Sequence, residues 1–473
     1  MSENPPLLEN ATRDLARFAA DLRYEDIPPE VIAQAKLCLL DGIGVCLHGS
    51  TLPWTRILQQ VTAAEGGTPV ASLWGTGSRG SVSQAVLVNG TGGHAFEMDD
   101  MHKESILHPN SLTTPIALGY AEASRATGRD MLTAIVAGYE VGTRVGNAAT
   151  MALFLDGFHP QGTSGTFVAA AAAGKMRGLN AVQMQHALGI AGSMASGLMA
   201  AQEGAMVKRL HAGRAAQAGV LGAELAAKGF TGISDILEAG YGGYLSSFSS
   251  RPAPQKLTQG LGESWETLNV GFKMYPTVTS IHTALDSLRW LMADNALAHG
   301  DIELVEIGCS RMTYVHTAWP YKPAGITAAQ MNLFFGLAVV ALGGNVTTAD
   351  LTEARLRDPQ VLELIGRMRG HEDAEIEAMG PFFRHACQMQ VTTRDGRRLR
   401  HKELARRGSP ENPVSIAEVQ EKFRGNVAGL LSDAEAEQVI GDVARFETLP
   451  DAARIIAILG TDRTGAARVE EMA

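Results

Sequence analysis

The stretch GTFVAAAAAGKMRGLNAVQMQHALGIAGSMASGLMAA, Gly165–Ala201, decides the fold class. Ala, Gly, Leu and Met dominate it, which favours helix over strand. Gly178 reads as the stop of a helix over Gly165–Arg177, and Asn180 as the N-cap of a second over Ala181–Ala201. The glycines inside such runs cost helix propensity but let neighbouring helices approach closely. Gly178–Gln202 is also a long uncharged stretch. Its Asn180, Gln183, Gln185 and His186 mark it as a buried helix pair rather than a membrane span.

Outward from there the same texture holds. Helical patterns run over Thr12–Leu22, about Glu30 to Leu47, Ser83–Val88, Leu112–Thr127, Asp130–Leu153 and His211–Lys228. Strand–helix alternation is missing, so the first half is read as mainly α. The texture changes near Glu263–Phe272. Ile302–Tyr314 has the β-branched content of a strand, and Cys387–Arg400 reads as a hairpin around Asp395-Gly396. An apolar helix from about Ala328 to Leu342 and acidic helices over Leu351–Met368 lie between them, and helix returns from Ile416 to the end. The expected architecture is mainly α: a helical domain (residues 1–268), a smaller α+β lid (269–406) and a C-terminal helical return (407–473).

Composition narrows the function. Of 473 residues, 45% are hydrophobic and 19% charged, which argues for a folded globular chain. The net charge of −10 counts against general nucleic-acid or anionic-membrane binding, both of which need basic surface. Cys38, Cys46, Cys309 and Cys387 form no C-x-x-C pair, which points to reduced thiols and a cytosolic protein. The N-terminus lacks the basic-then-apolar order of a signal peptide.

Chemistry concentrates in NGTGGHAFEMDDMHKESILHP, Asn89–Pro109, which packs three histidines and four carboxylates behind a Gly-rich turn. His94, Glu97, Asp99, Asp100, His102 and His108 could ligate a metal, yet they match no named metal motif. An exposed charged helix end is the plain alternative. An acid–base cluster without metal is the preferred reading, because carboxylates orient imidazoles and tune them for proton transfer near neutral pH. His159 sits in a turn before a helix whose N-cap is read as Ser164, where an anion would be favoured. Lys208, Arg209 and His211 put cations at another helix start, and Lys273 and Tyr275 lie at the expected domain junction. Gly75-Thr-Gly77-Ser-Arg-Gly80 spells a dinucleotide fingerprint, but no acidic strand end follows, so it is read as a surface turn.

At these residues the chain resembles the MmgE/PrpD family, almost end to end. The match covers YEDIPPEVIAQAKLCLLDGIGVCLHG (Tyr24–Gly49), VNGTGGHAFEMDD with HPNS (His108–Ser111), GFHPQGTSGTFVAAAAAGKMRGL, KRLHAGRAAQAGVLGAELAAKGFTG (Lys208–Gly232) and KMYPTVTSIHTALDSL (Lys273–Leu288). The resemblance implies a large helical domain with an α+β lid, usually a homodimer, and an active site in the cleft between the domains. It implies catalysis without a cofactor or metal on a di- or tricarboxylate. It carries catalytic roles onto Asp100, His108, His159, Lys208 and Lys273, and substrate contacts onto Glu97, Asp99, Met101, Arg209, His211 and Tyr275. Glu97 replaces the family's leading Asp, and Met101 replaces a hydroxyl residue. Val278 stands where the cis-aconitate decarboxylases carry a histidine. The expected activity is therefore a 2-methylcitrate dehydratase-like hydro-lyase. The alternatives are an epimerase of a substituted succinate such as iminodisuccinate, a cis-aconitate decarboxylase-like carboxy-lyase, and a non-catalytic carboxylate-binding protein.

Overall fold

The computed structural model describes residues 9–465, so the first eight residues and the end of the C-terminal helical run lie outside the description. The chain forms two compact units. The first comprises the residues up to Ala95, Asp99–Gly271 and the chain from Ser415; the second comprises Phe96–Met98 and Phe272–Val414. The short excursion of Phe96–Met98 is unforeseen by sequence. Gln330 explains it, because its side-chain amide donates to the Phe96 carbonyl (2.8 Å) and the Pro276 carbonyl (3.0 Å).

The first unit is a helical bundle around Gly165–Met176, a helix buried from Gly165 to Gly174. An all-buried helix of Ala and Gly has no amphipathic face; it packs on every side. Gly128–Leu155, Val207–Ala227 and Ala181–Ser193 surround it. Gly142 and Gly219 set the approach, since a Cβ on either would overlap Val168 or Ala169. Asn180 caps Ala181–Ser193 by accepting from the Gln183 N–H, and Gly178 (φ 68°) ends the preceding helix.

That second helix stops at Ser193 rather than Ala201. The Gly- and Ser-rich segment beyond it is not helical, with Gly197 at φ 134°, and only a short 3-10 turn at Met199–Glu203 follows. The G-x-G-x-x-G match is a turn between the two-residue strands Ala71–Ser72 and Arg79–Gly80, with Gly75 and Gly77 both at positive φ.

The second unit is α+β. Its four-stranded sheet has the order Met368–Glu372, Ile302–Cys309, Cys387–Thr393, Arg398–Glu403, with the first pair parallel and the others antiparallel. His282–Asp294 and Leu333–Gly343 share one core with it. The hairpin forms as expected, with Thr392 opposite Arg398.

Two expectations are corrected by caps. The strand from Ile302 ends at Cys309 because Ser310 caps a helix over Arg311–Thr317. Asn332 breaks the apolar helix by capping a new one at Leu333. Pro359 splits the acidic segment into Glu353–Leu356 and Pro359–Gly366, and Met368 then begins a strand.

Candidate active site

The polar run begins where the helix Val82–Gly93 ends, with His94 as its C-cap. His94 and Asp99 are fully buried and 2.6 Å apart. A carboxylate only accepts, so His94 Nδ1 carries the proton and donates it to Asp99 Oδ2. His94 Nε2 is buried and has no hydrogen-bond partner among the described residues. Asp99 Oδ1 lies 3.6 Å from His108 Nδ1.

His108 is held by its own turn. Its Nδ1–H donates to the Asp100 carbonyl (2.5 Å), and its backbone N–H donates to Gln161 Oε1 (2.9 Å). Gln161 Nε2 returns bonds to the His108 carbonyl (3.0 Å) and Ser111 Oγ (2.9 Å), so one amide fixes both ends of the turn. The Asp100 side chain points elsewhere. It accepts from the Asn110 N–H (3.1 Å) and the Tyr139 hydroxyl (2.5 Å). Burial pushes its carboxyl well above the usual range, and those two donors only partly offset that. Asn110 in turn donates to Asp41 (2.9 Å), whose other oxygen meets Lys422 at 2.6 Å.

His159 and His211 arrive from distant segments. His159 donates its backbone N–H to Gly197, and its carbonyl accepts from Gly162 and Thr163 at the foot of the helix Gly165–Met176. Ser164 begins that helix without a side-chain cap bond, its hydroxyl instead meeting Tyr244 at 2.7 Å. His211 lies in the first turns of Val207–Ala227. The two rings meet Nδ1 to Nδ1 at 2.9 Å. Ring centroids step from His108 to His94 (5.1 Å), to His159 (5.5 Å), to His211 (5.0 Å). Four imidazoles thus form a file with Asp99 beside its first two rings.

Burial depresses His159 well below the ordinary histidine value, and the charges of His94, Lys208, His211 and His108 add to it. His211 falls to about 4, through burial and then the charges of His94 and Lys208. Lys208, itself buried, therefore faces the same histidines. Arg209 is also buried; it donates to the His94 carbonyl (3.4 Å) and lies over the Trp54 ring, bracing the end of the Val82–Gly93 helix.

The six candidate metal ligands are largely parted. His102 lies in a two-residue strand with Met101, donates Nε2–H to Glu266 (3.0 Å) and accepts from Ser105. That bond holds the Glu266 carboxyl down to about 2, against the burial that pushes it up. Asp100 faces Tyr139, and Glu97 belongs to the other unit. His94, Asp99 and His108 remain, with donor atoms within 4.8 Å of one another. His94 and Asp99 are already hydrogen-bonded, and His108 Nδ1 is engaged by the Asp100 carbonyl, an arrangement suited to proton transfer.

In the second unit Lys273 and Glu97 form a buried ion pair at 3.0 Å. The cation expected to greet a substrate carboxylate is thus balanced by the residue that replaces the family's leading Asp. Tyr275 packs in this unit's core, and its hydroxyl donates to Asp286 (2.6 Å) and accepts from Arg289 (2.8 Å). Sequence reading put His94 in the polar cluster without a role of its own and missed Tyr139, Gln161, Asn110, Asp41 and Lys422. One signal was available: Asp41, alone in LCLLDGIGVCL, is a carboxylate that a buried helix must pair.

These features define a class: a helical scaffold that buries an Asp–His acid–base cluster beside a lysine, joined to an α+β unit. Family comparison narrows the class. The MmgE/PrpD N-terminal domain matches residues 13–256 and the C-terminal domain matches 275–445, so the chain belongs to the MmgE/PrpD family. It is 30% identical over 475 residues to the cis-aconitate decarboxylase-like protein oryM of Aspergillus oryzae, covering 95% of this chain and 97% of that one. It is 28% identical to the cis-aconitate decarboxylase of Aspergillus terreus (95% of each chain) and 28% identical to that of Homo sapiens (96% of this chain, 95% of that one).

Proposed function

We propose that this chain is a lyase that breaks a bond beside a carboxylate of a di- or tricarboxylic acid, using side chains alone to move protons. The observation that carries the reading is the file of four imidazoles, three of them buried, with Asp99 bonded to His94 and Lys208 beside it. Bond cleavage next to a carboxylate leaves negative charge that must spread into it, and a buried ammonium stabilises that charge without reorganising. A neutral imidazole is the matching base, and burial keeps His159 neutral. His108, fixed by Asp100 and Gln161, serves as the partner acid. One such proton-transfer group contributes about two to four powers of ten in rate, so positioning by Lys208 must supply much of the rest. The resemblance also gives Lys273 a substrate carboxylate and Glu97, Met101 and Arg209 substrate contacts; these assignments are retained as proposals.

The finer reading is a hydro-lyase of the 2-methylcitrate dehydratase type. Val278, buried in the second unit, supports it, because valine cannot replace the decarboxylases' histidine in moving a proton. The names of the relatives favour a second reading, a carboxy-lyase acting on cis-aconitate. Proton NMR in deuterated water over 2-methylcitrate, cis-aconitate and iminodisuccinate separates them. Olefin formation with loss of hydroxyl supports the first and loss of carbon dioxide the second. Deuterium uptake without net elimination would replace both with an epimerase, and silence on every substrate would overturn the lyase reading.

We also propose a cytosolic homodimer. Four free cysteines suit a reducing compartment, and the exposed apolar Leu198, Met206 and Val207 suit a partner surface, which light scattering after gel filtration tests.

A further inference from the structure

His159 and His211 meet nitrogen to nitrogen, and that contact constrains where protons sit. Two ring nitrogens 2.9 Å apart form a hydrogen bond only with one proton between them. One ring must therefore be the Nδ1–H tautomer and the other the Nε2–H tautomer. The geometry is held from both sides. Gly197 donates no side chain here, and a Cβ on it would press on the His211 ring and the His159 Cβ. His159 is clamped through its backbone to Gly197, Gly162 and Thr163. The two rings differ in access: His159 is buried, while His211 is only partly so.

We propose that His211 is the proton exit of the site, a relay residue that connects His159 to water; this rests on the acid–base reading above. His159 takes the substrate proton on Nε2 while the C–H electron pair stays on carbon, delocalised into the adjacent carboxylate. The proton on His159 Nδ1 passes to His211 Nδ1. His211 then releases its Nε2 proton to water or buffer base. Both rings end neutral with exchanged tautomers, and the reverse sequence delivers a proton from water to carbon. Neither ring carries a full charge at rest, so the buried pair avoids the cost of an ion beside Lys208.

Two measurements test it. In deuterated water, His211→Gln should cut deuterium exchange into the substrate that turns over at least about a hundredfold, the low end of what one proton-transfer group contributes. Millimolar imidazole should restore most of that exchange, which a purely structural loss would not allow. Wild-type exchange in the variant, or a loss that imidazole leaves untouched, would overturn the relay. The second measurement needs no substrate: 15N spectra of the wild-type protein should show one ring of the pair as Nδ1–H and the other as Nε2–H. Two Nε2–H rings would sink the proposal, whereas the paired tautomers beside an unreactive substrate panel would sink only the lyase reading.

Discussion

Lys422 and Asp41 offer the sharpest test of how the C-terminal return supports the site. Lys422 lies on the helix Ile416–Val427 and Asp41 on Pro29–Gly49; their charged atoms are 2.6 Å apart and their side chains are almost wholly excluded from water. Lys422→Met keeps the volume of the stem and removes the charge. It strands a buried carboxylate, which costs about 3–5 kcal/mol. Unfolding entropy near 2 cal/mol/K per residue, over the roughly 300 residues of the first unit, converts that to a fall in Tm of about 5–8 °C. Burial raises the Asp41 pKa even with Lys422 present, and removing the lysine raises it further. A carboxyl with a raised folded pKa loses stability as pH climbs from its unfolded value towards its folded one. The deficit of Lys422→Met relative to wild type should therefore be larger at pH 8 than at pH 5. Adding Asp41→Asn should recover most of the loss, since the amide still accepts from Asn110. Differential scanning fluorimetry of the four-member cycle at both pH values reads all of this. A single-variant loss below about 1 kcal/mol, the range of an exposed pair, would refute the buried pairing.

Other outcomes follow from the same geometry. His159→Ala and Lys208→Ala should each lower turnover by at least about a hundredfold while Tm stays nearly unchanged, and near-normal kinetics in either would remove that residue from the site. Because His159 and His211 are depressed, both stay neutral below pH 6.5, so kcat/KM should hold between pH 7 and 6. For the same reason their contribution to stability is complete above the unfolded value near 6.5 and is lost as pH falls towards the His211 value of about 4; a Tm that rose over that window would contradict it. Glu97→Gln should destabilise the second unit by about 3–5 kcal/mol by leaving the Lys273 ammonium without its carboxylate, and Glu97→Asp should recover part of this, as read by thermal unfolding.

Much of this protein was written locally. The Ala- and Gly-rich helix Gly165–Met176, the Asn180 cap, the Gly178 stop and the Asp395-Gly396 hairpin each depend on a handful of neighbours in the chain, and they formed where the pattern put them. Boundaries failed where one polar residue outweighed a long apolar pattern, as at Ser310 and Asn332. Histidines and lysines of the family motifs were also legible as candidates.

Their arrangement was not. Nothing near His94 announces that its partner is Asp99 while Asp100 turns to Tyr139, or that His159 meets His211 from 52 residues away. The ion pair of Asp41 with Lys422 spans almost the whole chain. Such meetings are set by how closely glycine faces let helices pack, as at Gly142 and Gly219, and by which buried charge must find a partner. Sequence by itself determined the helices, the hairpin and the kinds of chemistry available. Tertiary structure alone decided which proton faces which acceptor, because desolvation and hydrogen-bond geometry act between residues that the chain order keeps apart.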